Sequence, residues 1–333
     1  MKQKFLTRRE LGGLALTAGI AHAMPSSKIH GVQLGVITYS FRGMNDLDEI
    51  IKTIGEIGLN EVELMSNSAE LAAGAPMPPP RAGGGRPTGA GPAAAPGAPP
   101  TPQTPEQLAA MRARNNGPEA QKAREDLRKW RTSASMSAFA PVKEKFKTAG
   151  MDLRLLCFNM NESFTDDEIE YVFQVANALG AKAITTSTQV TVSKRVAPFA
   201  DKHKILVGYH GHDNVADKNE FSTIESFETA MSYSKYNGLN LDIGHFVAAN
   251  SDPIALIQKH HARITNLHLK DRKKDHGPNT VWGEGDTPIK AVLQLMKSKK
   301  YPFPANIEYE YRGAGTPAVE VAKCFEYCKK ALA

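Results

Sequence analysis

Four apolar, strand-like runs in the C-terminal half each end in a side chain able to ligate a metal. They are His210 after Ile205-Leu-Val-Gly-Tyr, Asp242 after Leu239-Asn-Leu, His268 after Ile264-Thr-Asn-Leu, and Glu308 after Ala305-Asn-Ile. A hard or borderline divalent cation takes oxygen and imidazole ligands, and this set supplies two of each. Manganese, cobalt, zinc or iron suits such a set, magnesium less well. A single His or Asp at a strand end more often caps a helix or sits satisfied in a core. Four at successive strand ends point instead to one divalent ion.

Convergence requires a fold that gathers strand ends. From Val32 onward, short β-branched runs alternate with amphipathic segments, the pattern of repeated βα units. The strands read as Val32 to Thr38, Glu61 to Met65, Asp152 to Phe158, Lys182 to Thr186, Ile205 to Tyr209, Leu239 to Ile243, Ile264 to Leu269 and Ala305 to Tyr309. Helical stripes fall between them: Leu47, Ile50, Ile51, Ile54 and Ile57 after an Asn45 or Asp46 cap, and Ile169 to Leu179 after Thr165 or Asp166. A third runs from Ile289 to Met296. Eight such pairs fit an α/β fold of the (β/α)8 TIM-barrel type, with βα loops and strand ends on one catalytic face. An open doubly wound sheet is disfavoured, because no glycine-rich phosphate loop follows the first strand.

One segment breaks the rhythm. Ala72 to Pro105, between the second strand and its helix, is dominated by Pro, Gly and Ala and lacks apolar periodicity, so a disordered insertion is expected. Two polar helical stretches, Pro105 to Asn115 and Pro118 to Arg131, follow it. The insertion is either a lid or an arm between subunits of a homo-oligomer, or a surface loop without a role.

The first 23 residues read as a twin-arginine-type signal peptide. Thr7-Arg8-Arg9-Glu10-Leu11 precedes an apolar run too short to span a bilayer, and Ala21-His22-Ala23 offers a cleavage site. A periplasmic or secreted barrel over residues 24–333 is therefore expected, with no membrane contact after cleavage. The chain's net charge of +6 includes +3 from this segment, leaving +3, too little to argue for nucleic acid. Cys157, Cys324 and Cys328 form no paired framework. The i, i+4 spacing of Cys324 and Cys328 suits packing on a helix.

The local sequences around the four residues are Tyr209-His-Gly-His-Asp213, Leu241-Asp-Ile-Gly-His245, Leu267-His-Leu-Lys-Asp271, Trp282-Gly-Glu-Gly-Asp286 and Ile307-Glu-Tyr-Glu310. The D-x-G-H and H-x-K-D segments, in that order, resemble the xylose isomerase-like barrels, also called the sugar phosphate isomerase/epimerase family. The resemblance covers nearly the whole chain after the leader, apart from the insertion. It places the sixth-strand ligand on Asp242, the seventh on His268 and the eighth on Glu308. The family's fifth-strand ligand is commonly a glutamate, and here His210 stands there. The resemblance implies a sugar isomerase or epimerase working by proton abstraction beside a carbonyl, through an enediolate stabilised by the metal.

With one of the family's two glutamates replaced by His210, a symmetric two-carboxylate mechanism does not carry over, and a lyase acting on a keto-sugar or keto-glycoside becomes the rival. Glu308 is the expected base. His212, His245 and Lys270 are candidates for the second acid or for hydrogen bonds to sugar hydroxyls, or they orient ligands. Glu63 either contacts sugar or pairs with a basic partner. Trp282 either walls a sugar face or packs, and Arg312 is a candidate for an anionic group. Asp271 is expected to cap the following loop or pair with Lys270. A nuclease like endonuclease IV would need a trinuclear zinc cluster, and a non-catalytic sugar-binding barrel would not need the ligand set.

Overall fold

The alternation of apolar runs and stripes folds as eight parallel strands, numbered here in chain order. They are β1 (Val32–Ile37), β2 (Glu61–Met65), β3 (Asp152–Cys157), β4 (Ala183–Thr186), β5 (Leu206–His210), β6 (Asn237–Asp242), β7 (Ile264–Leu269) and β8 (Ala305–Ile307). Each pairs with the next, and β8 returns to β1 with Leu34 opposite Ala305 and Val36 opposite Ile307, closing a (β/α)8 barrel. The two-residue strand Lys28–Ile29 pairs antiparallel with the start of β1. This computed structural model describes residues 26–76 and 117–333. The expected leader (1–23), nearly all of the insertion and the stretch 105–115 lie outside the described residues.

The helices form where the apolar stripes place them. Asp46 caps Leu47–Ile57 by accepting from the Asp48 N–H, and Gly58 ends the helix in the left-handed region. Thr165 and Glu168 make a reciprocal capping box at the start of Asp166–Leu179. Strand interiors are buried on both faces, with β6 and β7 buried along their whole lengths. The third stripe is a helix over Ile289–Lys299. Cys324 and Cys328 pack in the core from the last helix, Pro317–Leu332, and all three cysteines are free. Strand β8 is shorter than expected: it ends at Ile307, and the Glu308 N–H donates to the Leu269 carbonyl just past the pairing.

Of the two polar stretches, the second is a helix, Pro118–Ser133. Arg131 ties it down. Its guanidinium lies between the rings of Phe158 and Phe164, 5.0 and 5.2 Å from their centroids, and pairs with Glu70 (2.8 Å) and Glu168 (3.3 Å). Glu70 belongs to Ser66–Ala72, the helix that directly follows β2. The ion pair therefore fastens together the chain entering and the chain leaving the insertion.

Candidate active site at the strand ends

His210 and Asp242 are the last residues of β5 and β6, His268 is next to last in β7, and Glu308 follows β8. All four are buried, and one ligand atom from each lies within 4.8 Å of the other three. His210 Nδ1, Asp242 Oδ2, His268 Nδ1 and Glu308 Oε2 are buried without a directed hydrogen bond. Three of them meet charged neighbours at 2.9 Å, Asp242 Oδ2 and Glu308 Oε2 facing Lys270 and His268 Nδ1 facing Glu308, so charge pairing rather than a full set of directed hydrogen bonds holds the cluster. The donor set, two imidazoles and two carboxylates within reach of one point, fits a divalent cation. Asp242 has two tasks: Oδ1 accepts from the His245 N–H (2.7 Å) and caps Ile243–Ala248, while Oδ2 faces the cluster.

Charge within the site is dense. The Lys270 ammonium lies 2.9 Å from Asp242 Oδ2, 2.9 Å from Glu308 Oε2 and 2.6 Å from Glu310 Oε2. Gly244 leaves room for this side chain, since a Cβ there would meet Lys270 Cγ at 2.3 Å. Burial lowers the lysine's pKa, but Asp242, Glu308 and Glu310 outweigh it and hold the amine well above its ordinary value. Burial likewise raises the carboxyl of Glu308, yet Lys270 and His268 keep it well below the usual range, hence ionised. Burial and His268 push His210 well below the usual imidazole value, leaving a neutral ring with a lone pair to give.

His268 is gripped from both sides: Nε2 lies 2.7 Å from Glu63 Oε2, and Nδ1 lies 2.9 Å from Glu308 Oε2. Burial would lower its pKa, but the two carboxylates hold it well above. Glu63 also accepts from Asn266 Nδ2 (2.9 Å), Asn306 Nδ2 (3.1 Å) and the Thr185 hydroxyl. Expected as a sugar contact, Glu63 is instead fully buried with its oxygens occupied, and it orients His268. This is the basic-partner alternative.

Two further imidazoles face the cluster. The His212 ring is 5.0 Å from that of His210, with Nδ1 2.7 Å from Glu220 Oε1 and Nε2 3.2 Å from Ser187 Oγ. Burial lowers the His212 pKa, but Glu220 overcomes it and raises the ring above its usual value. His245 Nε2 stands 4.0 Å from Asp242 Oδ2, while its Nδ1 edge meets Asp213 (3.3 Å) and Arg272.

The structure thus gathers His210, His212, Asp242, His245, His268, Lys270 and Glu308, all expected at the site. Trp282 is buried, edge-on to Tyr327 of the last helix, rather than offered as an open wall. Arg312 is exposed past β8. Asp271 caps its loop, accepting from the N–H groups of Gly283, Gly285 and Thr287, while Lys270 turns inward. Sequence reasoning missed Glu310, Glu220, Ser187, Asn266 and Asn306. Glu310 was within reach, since two residues on from Glu308 the chain presents the same face.

The sequence model of the xylose isomerase-like TIM barrel family matches residues 142–330. L-ribulose-5-phosphate 3-epimerase UlaE of Salmonella paratyphi A is 29% identical over 119 residues, 34% of this chain and 42% of that protein. The chain therefore matches about two fifths of the curated relative's length. A sugar phosphate isomerase/epimerase from Parabacteroides distasonis ATCC 8503 superposes with a TM-score of 0.57 at 14% identity, covering 91% of this chain and 95% of its own. The IOLI protein, solved with a zinc atom, gives 0.54 at 13% identity, covering 90% and 95%. These two likenesses concern the fold.

Proposed function

We propose that this chain, which belongs to the xylose isomerase-like TIM barrel family, is a metal-dependent sugar isomerase or epimerase that removes a proton beside a carbonyl. The observation that carries the reading is the convergence of four buried ligand side chains, His210, Asp242, His268 and Glu308, beside a lysine and two more imidazoles. The epimerase relative supports the substrate class, a small sugar. A divalent ion held by the four residues would polarise a carbonyl of the substrate.

The remaining chemistry belongs to the chain. Glu308, kept ionised by Lys270 and His268, is the carboxylate that takes the proton. The Lys270 ammonium supplies fixed positive charge beside the oxygen that gains charge. His212, held by Glu220 through Nδ1 and with its ring 5.0 Å from that of His210, is the group that returns or donates a proton. His245, steadied by Asp213 and Arg272, is a hydrogen-bond donor for a hydroxyl.

A second reading, a lyase on a keto-sugar or keto-glycoside, is favoured by one feature. On β5 the candidate ligand is the imidazole of His210 rather than a carboxylate that could act with Glu308 on the other face of the carbon. An elimination needs one base, Glu308, and one acid for the leaving group, His212. Incubating the metal-loaded protein with a panel of ketoses and keto-glycosides and following products by NMR separates the readings. New stereoisomers support the first, a released aglycone the second, and neither would overturn both.

Export remains part of the proposal, resting on the twin-arginine segment and the small-x-small site after it. Cell fractionation tests it: a full-length, uncleaved protein in the cytosol would contradict it.

A further inference from the structure

Glu61 and Glu63 alternate with Val62 along β2 and so point to the same side, into the barrel. Glu61 lies one layer deeper, fully buried, and neither of its oxygens has a hydrogen-bond partner. Gly35 of β1, paired with Asn306 of β8, makes the room: a Cβ at Gly35 would meet Glu61 Oε2 at 1.6 Å and Asn306 Oδ1 at 2.6 Å. The Asn306 amide therefore stands between two carboxyl groups. Its Nδ2 donates to Glu63 Oε2 (3.1 Å), and its Oδ1, also without a partner, faces Glu61.

A primary amide has one donor edge and one acceptor edge, so it satisfies two carboxyl neighbours only if one of them donates. Turning the amide over moves the problem without removing it. Glu63 already accepts from His268, Asn266, Asn306 and Thr185, which leaves Glu61 as the donor. We propose that Glu61 is a neutral carboxylic acid that donates its proton to Asn306 Oδ1, and that through Asn306 and Glu63 it is a positioning residue for His268. Burial also raises its pKa well above the usual carboxyl value, with Glu63 and Asp152 adding to the rise and Arg154 and Asn306 opposing it. The link to metal binding rests on the ligand reading above; the protonation of Glu61 does not.

The infrared difference spectrum between wild type and Glu61→Gln at neutral pH tests the first part. The carbonyl stretch of a protonated carboxylic acid is expected in the wild type and absent from the variant; a carboxylate band in its place overturns the inference. The second part is read from the imidazole 15N and 1H signals of the metal-free protein. Glu61→Gln keeps a donor toward Asn306, so the His268 Nε2–H signal should persist, whereas Glu61→Leu should weaken or lose it. Manganese affinity should stay within about twofold in Glu61→Gln and fall about tenfold in Glu61→Leu, the low end for loss of an outer partner. An unchanged His268 signal and affinity in Glu61→Leu would overturn the positioning role. Should Glu61→Leu not fold, the wild-type spectrum decides, and its lack of the acid band overturns the inference. A wild type that bound no divalent ion would refute the ligand reading while leaving the infrared and imidazole measurements decisive.

Discussion

His268 Nε2 lies 2.7 Å from Glu63 Oε2, at a depth where both side chains are essentially inaccessible. The contact fixes which nitrogen faces the cluster, because a proton held on Nε2 leaves Nδ1 for a ligand. Glu63→Gln should lower divalent-metal affinity by about 10–100-fold. The two carboxylates also hold His268 protonated in the metal-free protein, so binding must expel a proton from Nδ1. Calorimetry in buffers of different ionisation enthalpy should show that release, and affinity should fall as pH falls. Binding without proton release would contradict the assignment.

Lys270 sits among three carboxylates with almost no exposure. Lys270→Met removes the compensating charge and should destabilise the metal-free protein by about 3–5 kcal/mol. A divalent cation partly replaces the lost charge. Thermal unfolding should therefore show a larger metal-induced rise in Tm for the variant than for the wild type; an equal rise would show that the ammonium and the ion do not share these oxygens.

Glu220 raises the His212 pKa against the effect of burial. If His212 works in its protonated form, activity is present below that pKa and lost as pH rises through it. Glu220→Gln should shift the alkaline fall of kcat to lower pH, and His212→Asn should cost about 10²–10⁴ in kcat. A pH profile unmoved by Glu220→Gln would remove His212 from proton transfer.

Arg131, from the helix after the insertion, pairs with Glu70 before it and with Glu168 of the Asp166–Leu179 helix, and both carboxylates are nearly inaccessible. Arg131→Ala leaves them without their buried partner and should cost about 3–5 kcal/mol in urea unfolding. Burial would raise the Glu168 pKa, but the Thr165 N–H, Arg128 and Arg131 bring it below the ordinary value. A depressed folded pKa means stability that is present above the unfolded pKa and is lost as pH falls through the folded one. The difference between wild type and variant should therefore shrink in acid; a difference independent of pH would argue that the stacking on Phe158 and Phe164 is what matters.

The barrel was legible because the strands are short apolar runs, and the four ligands were legible because each lies at or next to the end of such a run. The β2 and β7 boundaries coincide with the sequence reading, whereas β8 ends at Ile307, although the Glu308 N–H still reaches the Leu269 carbonyl. Side-chain direction was harder to read. Period-two alternation puts Glu63 inside the barrel but does not reveal that His268, Asn266 and Asn306 occupy its oxygens. Glu220 and Ser187 reach His212 from separate loops, and no local spacing encodes such a meeting.

The central claim, that Glu308 removes a proton beside a carbonyl with the aid of a bound ion, is tested most directly by hydrogen exchange. A ketose that the protein binds is incubated in deuterated water with metal-loaded protein, metal-stripped protein and Glu308→Gln, and its carbon-bound hydrogens are followed by NMR. The account predicts deuterium entering at a carbon next to the carbonyl with the loaded wild type alone. Absence of metal-dependent exchange at every such carbon, or full exchange in Glu308→Gln, would contradict it.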